Sequence, residues 1–173
     1  MLTRLILCLV LLAGPVFAQS EAEPPMTPER LAAILLAVDP EAAPAGSGVS
    51  LTITDIPVLV VFDVAANRMR AMVPVASADG LTEADLMRMM QANFDTALDA
   101  RYAVANERLW SVYIHPLREL RRAQLLSGLA QTVTLARTYG TLYSGGAQVF
   151  GGGDSSGLYR ELLDDLQNRG QEL

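Results

Sequence analysis

The residues able to do chemistry are few in this chain of 173 amino acids, and they lie far apart. His115 is the only histidine, and it stands before Pro116 at a strand-to-helix junction, where an imidazole readily bonds the adjacent backbone. A general base or nucleophile's helper needs a positioned partner. No H-E-x-x-H helix or second histidine accompanies it. Met69, Met72, Met87, Met89 and Met90 form a methionine-rich region. Thioethers hold Cu(I) when several converge with cysteine or histidine, but methionines at helical spacing more often fill core gaps or line adaptable surfaces. Gly151-Gly152-Gly153-Asp154 lacks both the lysine-serine ending and the preceding strand of a phosphate loop, and reads as linker. Glu161, Asp164 and Asp165, beside Arg160 and Arg169, form the solvated face of a terminal helix. Asp63 falls opposite Arg68 or Arg70, an exposed cross-strand pair worth well under ~1 kcal/mol. The expectation is therefore no catalytic residues, no cofactor and no metal site.

The first 18 residues carry one charge, Arg4, then the apolar run LILCLVLLA, then Gly14-Pro15 and Val16-Phe17-Ala18. This is the three-part plan of a secretory signal peptide, with small residues at minus three and minus one if cleavage follows Ala18. The run is shorter than the ~20 residues that span a bilayer. Cys8, the single cysteine, lies inside this segment, so the mature chain has neither disulfide nor thiol nucleophile. Export without cysteines points to a periplasm rather than to a disulfide-built scaffold. Cleavage leaves 155 of 173 residues, one ordinary domain with a real core. The remaining 12 basic residues, all arginine, face 19 acidic ones, a net charge of −7. Nucleic acid and anionic lipid need a basic footprint, so neither is an expected partner.

The elements that must position any site follow in order. Residues 19–26 are a polar linker. Thr27-Pro28 opens a helix whose apolar face is Leu31, Ile34, Leu35 and Val38. Asp39-Pro40 stops it, and Glu41 to Gly48 is a flexible connector. Three strands follow, Val49 to Thr54, Val58 to Val64 and Arg68 to Val75, with turns at Asp55-Ile56-Pro57 and Ala65-Ala66-Asn67. On the third, Arg68, Arg70 and Met72 share the face opposite Met69, Ala71, Val73 and Val75. Gly80 to Ala100 is a helix capped by Thr82 and Asp85. Leu86, Met89, Met90 and Asn93 make its inward stripe, and it is expected to organise the rest of the chain. Strands Arg101 to Ala105 and Arg108 to Ile114 join at Asn106-Glu107. Pro116 starts a long helix with Leu126, Leu129, Val133 and Ala136 inward and Gly140 as C-cap. Residues 141–157 are a glycine-rich linker, and 158–173 a tail in which Leu158 to Gln167 forms a short helix, docked or free.

Helix, three-stranded antiparallel meander, helix, two strands and helix, plus a flexible C-terminal tail, is an α+β plan. Its order resembles the type III secretion chaperone-like fold, and the chain resembles the YbjN-like members of that group. The likeness rests on LTITDIPVLVVFDVAANRMRAMVPVA, MMQANFDTALDARYAV and LWSVYIHPLREL, and spans residues 27–140. It implies a non-enzymatic, often dimeric module that binds other proteins, and it supplies no catalytic residues. The export signal is a departure, since the secretion chaperones act in the cytoplasm.

Apolar residues on both faces of the strands leave one face of the sheet for a partner. Alternation groups Leu59, Val61, Leu109 and Tyr113 as the candidate partner-binding set, with Trp110 and Phe62 opposite. The leading expectation is an exported protein-binding module, a homodimer or a client binder. Two alternatives stay open: an envelope hydrolase or transferase using His115 with a carboxylate, and a methionine-based copper-binding protein. N-terminal sequencing of the exported protein should begin at Gln19; a chain retaining residues 1–18 would remove the cleaved-signal expectation.

Overall fold

The computed structural model describes residues 23–95, 97–139 and 157–170, and within them the chain is an α+β fold. Helix α1 spans Pro28–Val38, α2 Glu83–Asp95, α3 Arg122–Arg137 and α4 Gly157–Gly170. Strands β1 Ala43–Ala45, β2 Gly48–Ile53, β3 Ile56–Asp63, β4 Arg68–Ser77, β5 Arg101–Ala105 and β6 Arg108–His115 form one sheet. Its order is β1-β2-β3-β4-β6-β5, with every neighbouring pair antiparallel. The meander of β2, β3 and β4 is as expected. The chain then leaves through α2, returns as the edge strand β5 and turns back into the gap beside β4 as β6.

Tight turns set these registers. Thr54-Asp55 and Asn106-Glu107 both hold two successive positive φ angles, the two-residue hairpin whose twist matches that of the strands. The first turn is therefore one residue earlier than Asp55-Ile56-Pro57, and Ile56 and Pro57 join β3. Pro57 is tolerated there because the ladder to β4 begins only at Leu59↔Met72, so its missing N–H breaks no bond on that side. The connector after α1 also does more than link: Ala43–Ala45 pairs with β2 as β1.

One face of the sheet carries the core. Val49, Leu51, Ile53, Val58, Val60, Met69, Ala71, Val73, Leu109 and Tyr113 are buried against the helices. Helix α3 lies across β4 and β6 on one side and meets α4 on the other, and α4 also packs on α1. Hence α3 is buried around its whole circumference from Leu125 to Leu135, apart from the partly covered Ser127. That burial makes α3 the organising element, not α2. In α2 only Met89 and Ala92 are buried, whereas Leu86 and Met90 are 41% and 54% exposed and Phe94 71%. Its periodicity was real, but β5 is an edge strand and offers a helix little surface to cover. The α2 cap is as expected: Thr82 Oγ1 accepts from Asp85 N–H at 3.2 Å, and Asp85 Oδ2 accepts from Thr82 N–H at 3.0 Å. Helix α3 starts later than Pro116, at Arg122, because Leu117 and Leu120 turn inward first and are buried. The terminal helix is docked, with Leu162 and Leu166 buried. Residues 1–22, the Gly140 cap and most of the glycine-rich linker lie outside the described residues.

The approach of α3 to the sheet is closest at Gly128, where an added Cβ would stand 2.5 Å from the Tyr113 ring. Alanine is the better helix former by about 1 kcal/mol, but overpacking a tight contact costs about 1–3 kcal/mol. Gly128→Ala should therefore lower the melting temperature; a rise in thermal denaturation would show that α3 sits farther from β6 than this.

Candidate protein-binding face

The outer face of the sheet is built by the strand positions that alternate with the core. Register places Leu59 beside Met72 and Met72 beside Val112, and likewise Val61, Arg70 and Ile114, with Pro74 beside Trp110. All the apolar members of this set are half-buried except Ile114, which is 52% exposed. The helices α1, α3 and α4 occupy the other side, so none of the described elements layers over this one. Trp110 is tied to β5 by its indole N–H, which donates to Ala105 O at 3.0 Å. A shallow groove of about 400 Å³ runs along the β2–β3 side, lined by Ser50, Thr52, Pro57, Leu59, Pro74 and Trp110. Exposed arginines, Arg68, Arg70 and Arg108, stand on the β4–β6 side.

The structure divides the expected set of four. Leu59 and Val61 are on this face together with Trp110, whereas Leu109 and Tyr113 are buried beneath α3 and Phe62 packs on the core side. Alternation gives two sides for each strand but not the phase between strands. The phase is set by the ladder, in which Val60↔Ala71 and Ala71↔Tyr113 form an inner row. Met72, Val112 and Ile114 were missed as members of the face. The signal was present: Met72 shares its side of β4 with two arginines, which marks that side as outward.

The other candidate groups are arranged as follows. His115 Nδ1 lies 2.8 Å from Pro116 O, so the ring donates to the backbone there. It borders a groove of about 360 Å³ that also contains Asp99, Ser127 and Gln131. The groove is laced by bonds within the protein. Gln131 Oε1 accepts from the N–H groups of Asp99 and Ala100 at 2.7 and 3.1 Å, and its Nε2 donates to Asp99 Oδ2 and Ser127 Oγ. Ser127 Oγ also pairs with the Tyr159 hydroxyl at 2.9 Å. Among the described residues the carboxylate of this groove is thus bonded to an amide and not to His115. The Tyr113 phenol is pushed up to about 12 by burial, with the Asp99 charge adding to it. The cluster staples the α2–β5 connector and α4 to α3.

The methionines do not converge. Met69 and Met89 are buried, Met72 is on the outer face, and Met87 and Met90 are exposed on α2. Asp63 caps a turn, its Oδ1 accepting from Ala66 N–H at 2.9 Å. Asp165 pairs with Arg169, which also donates to Val38 O. The Gly151–Asp154 run lies outside the described residues. Asn67, at φ +50°, proves more important than the sequence suggested. Its side chain accepts from Arg118 N–H and donates to Glu119 Oε2, each at 2.8 Å, tying the β3–β4 turn to the segment before α3. That amide bond holds the Glu119 carboxyl below its usual range.

No protein-family model and no curated protein matches the chain. Solved structures are similar to it in part. One is a chain of the ExsC–ExsE complex, 15% identical, covering 57% of this chain and 77% of that one, with a TM-score of 0.43. Another is in the HopA1–SchA chaperone–effector complex, 11% identical over 63% and 91%, with a TM-score of 0.48. A third is in the complex of the Yersinia pestis type III secretion chaperone SycH with a stable fragment of YscM2, 16% identical over 61% and 96%, TM-score 0.46. At these scores the likeness carries no partner and no activity across to this chain.

The Gln131 staple has a measurable weight. Gln131→Leu keeps the volume but strips the acceptor from two N–H groups, and each such loss costs about 1–3 kcal/mol. Chemical denaturation should show a loss of about 2 kcal/mol or more, with faster amide exchange at Ala100; an unchanged midpoint would mean water replaces the staple.

Proposed function

We propose that this chain is an exported, non-enzymatic protein-binding module, chaperone-like or regulatory, of the YbjN-like kind. The observation that carries the reading is the outer sheet face: apolar rows over β3, β4 and β6, with Arg70 between Val61 and Ile114, Arg68 and Arg108 toward opposite ends, and no described helix above it. A sheet buried on one side only is ordinary when the other side is polar. Here it holds leucine, methionine, tryptophan, valine and isoleucine, and a large apolar patch on a soluble domain marks a contact surface. The fit is to a protein surface. Tryptophan, methionine and arginine are enriched in interface cores, and the groove beside Trp110 is wide and shallow rather than an enclosed small-molecule cavity. The amino-terminal pattern supports export, and the sequence resemblance supports the YbjN-like assignment.

The test is a photoreactive amino acid placed at Val112, in the middle of the face, and at Asp164, on the exposed side of α4, in cells that export the protein. Crosslinks to a protein are expected from position 112 and not from 164. Equal labelling from both positions, or none from 112, would overturn the assignment of this face.

A further inference from the structure

The groove between β6 and α3 holds one polar group that the protein itself does not use. Tyr113, only 6% exposed, lies on its wall with Asp99, His115, Gln124 and Ser127. Tyr102 donates its hydroxyl to Leu135 O at 2.8 Å, and the Tyr159 hydroxyl pairs with Ser127 Oγ at 2.9 Å. The Tyr113 hydroxyl has no such partner among the described residues. Nor is it sealed in the core, as the Ser111 and Thr134 hydroxyls are. A nearly buried hydroxyl without a protein partner is costly unless something in the groove bonds it. Its neighbours define that ligand. Asp99 gives Oδ2 to the Gln131 amide, and its Oδ1 is unbonded among the described residues, although a carboxylate has about four acceptor sites. His115 turns Nδ1 to Pro116 O, which leaves Nε2 as the acceptor of the neutral ring. The Tyr113 phenol, pushed up to about 12 by burial and then by the Asp99 charge, stays protonated near neutrality and both donates and accepts. No arginine is among the described residues on this wall, and the chain has no lysine. The surplus is of acceptors and of negative charge.

A second groove, of about 590 Å³, shares Asp99, Ser127 and Gln131 with the first and is lined besides by Phe94, Leu98 and Tyr159. Its own charges, Asp95 and Arg101, are opposite in sign, and Arg101 Nη1 is bound to the carbonyls of Leu98 and Ala100. We propose that these adjoining grooves bind a primary amine in its ammonium form, the charge against Asp99 and Tyr113 and an apolar body against Phe94 and Leu98. The inference is independent of the outer face, because Tyr113 and α3 lie on the opposite side of the sheet. An ammonium carries three donors, and Asp99 Oδ1, Tyr113 Oη and His115 Nε2 are three acceptors. Its bond to the carboxylate is charge-assisted, the stronger kind. The two volumes fall in the range of small-molecule sites, about 300–1,000 Å³. An anion of the same shape meets Asp99 with no cation on the wall of the first groove to offset the repulsion. A divalent metal ion is poorly served, since among the described residues no three side chains of histidine, cysteine, aspartate or glutamate converge.

The experiment is calorimetric titration of the purified protein with phenethylammonium, and with phenethyl alcohol and 3-phenylpropionate as neutral and anionic mimics of the same shape. Phenethylammonium should bind about tenfold or more tighter than the alcohol, and the propionate not measurably. Tyr113→Phe keeps the ring that meets Gly128 and removes only the hydroxyl, while Asp99→Asn keeps an acceptor for Gln131 and removes the charge. Each should weaken phenethylammonium about tenfold, whereas Asp164→Asn, at an exposed carboxylate on α4, should leave it unchanged. Equal affinity for the three probes, or no loss in either groove variant, overturns the proposal. Amide spectra of the unmodified protein should shift at Asp99, Ala100 and Ser127 on adding phenethylammonium; shifts confined to other elements overturn the placement, whatever the variants do. Zinc alone displacing phenethylammonium, with an affinity lost in His115→Ala, would overturn the amine in favour of a metal.

Discussion

The structure depends on how close α3 comes to the sheet. Gly128 meets the Tyr113 ring where no side chain would fit, and around that contact Leu125, Leu129, Val133 and the inner rows of β4 and β6 are buried. Because α3 is that deep, it also presents an apolar back to α4, which packs in turn on α1. A helix buried all round needs a layer on each side, and the sheet and the α1–α4 pair provide them. The helices α1, α3 and α4 all pack on this side of the sheet. The bare outer face follows from the same geometry.

Polar groups hold the pieces that apolar packing leaves loose. The connector after α2 has little core to join, and Gln131 supplies acceptors for its N–H groups from inside α3. The turn between β3 and β4 is held by Asn67, whose amide reaches the start of the α3 approach. Asn93 completes the edge strand in the same manner, accepting from Tyr102 N–H and donating to Tyr102 O. In each case one side-chain amide satisfies two neighbouring groups, and for Gln131 and Asn93 both are served at partly or fully buried backbone that has no ladder partner there. Serving these bonds also uses polar atoms of the groove near His115. Asp99, Ser127 and Gln131 are committed to structure.

Much of the fold was legible in the sequence because its signals are local. Thr82 and Asp85 cap α2 in the form that their spacing dictates, and Asn106-Glu107 turns where it should. Alternation separated Trp110, Val112 and Ile114 from Leu109, Ser111 and Tyr113 within β6. The errors were of rank and phase. The helix with the clear amphipathic stripe proved peripheral, while α3, apolar and small-residue on every side, shows a weak stripe because it has no wet face. The expected set of four is split between the two sides: Leu59 and Val61 lie on the outer face, and Leu109 and Tyr113 in the core beneath.

By itself, then, the sequence determined the order and type of the longer elements and most of the caps and turns that delimit them. These depend on residues a few positions apart, where backbone sterics and hydrogen-bond reach act directly. Only the tertiary structure decided which side of each strand is wet, which helix is central, and that the apolar residues of three strands merge into one surface. Those outcomes depend on ladder register and on what packs above each face. Both are contacts between residues distant in the chain, and periodicity within a single segment carries no record of them.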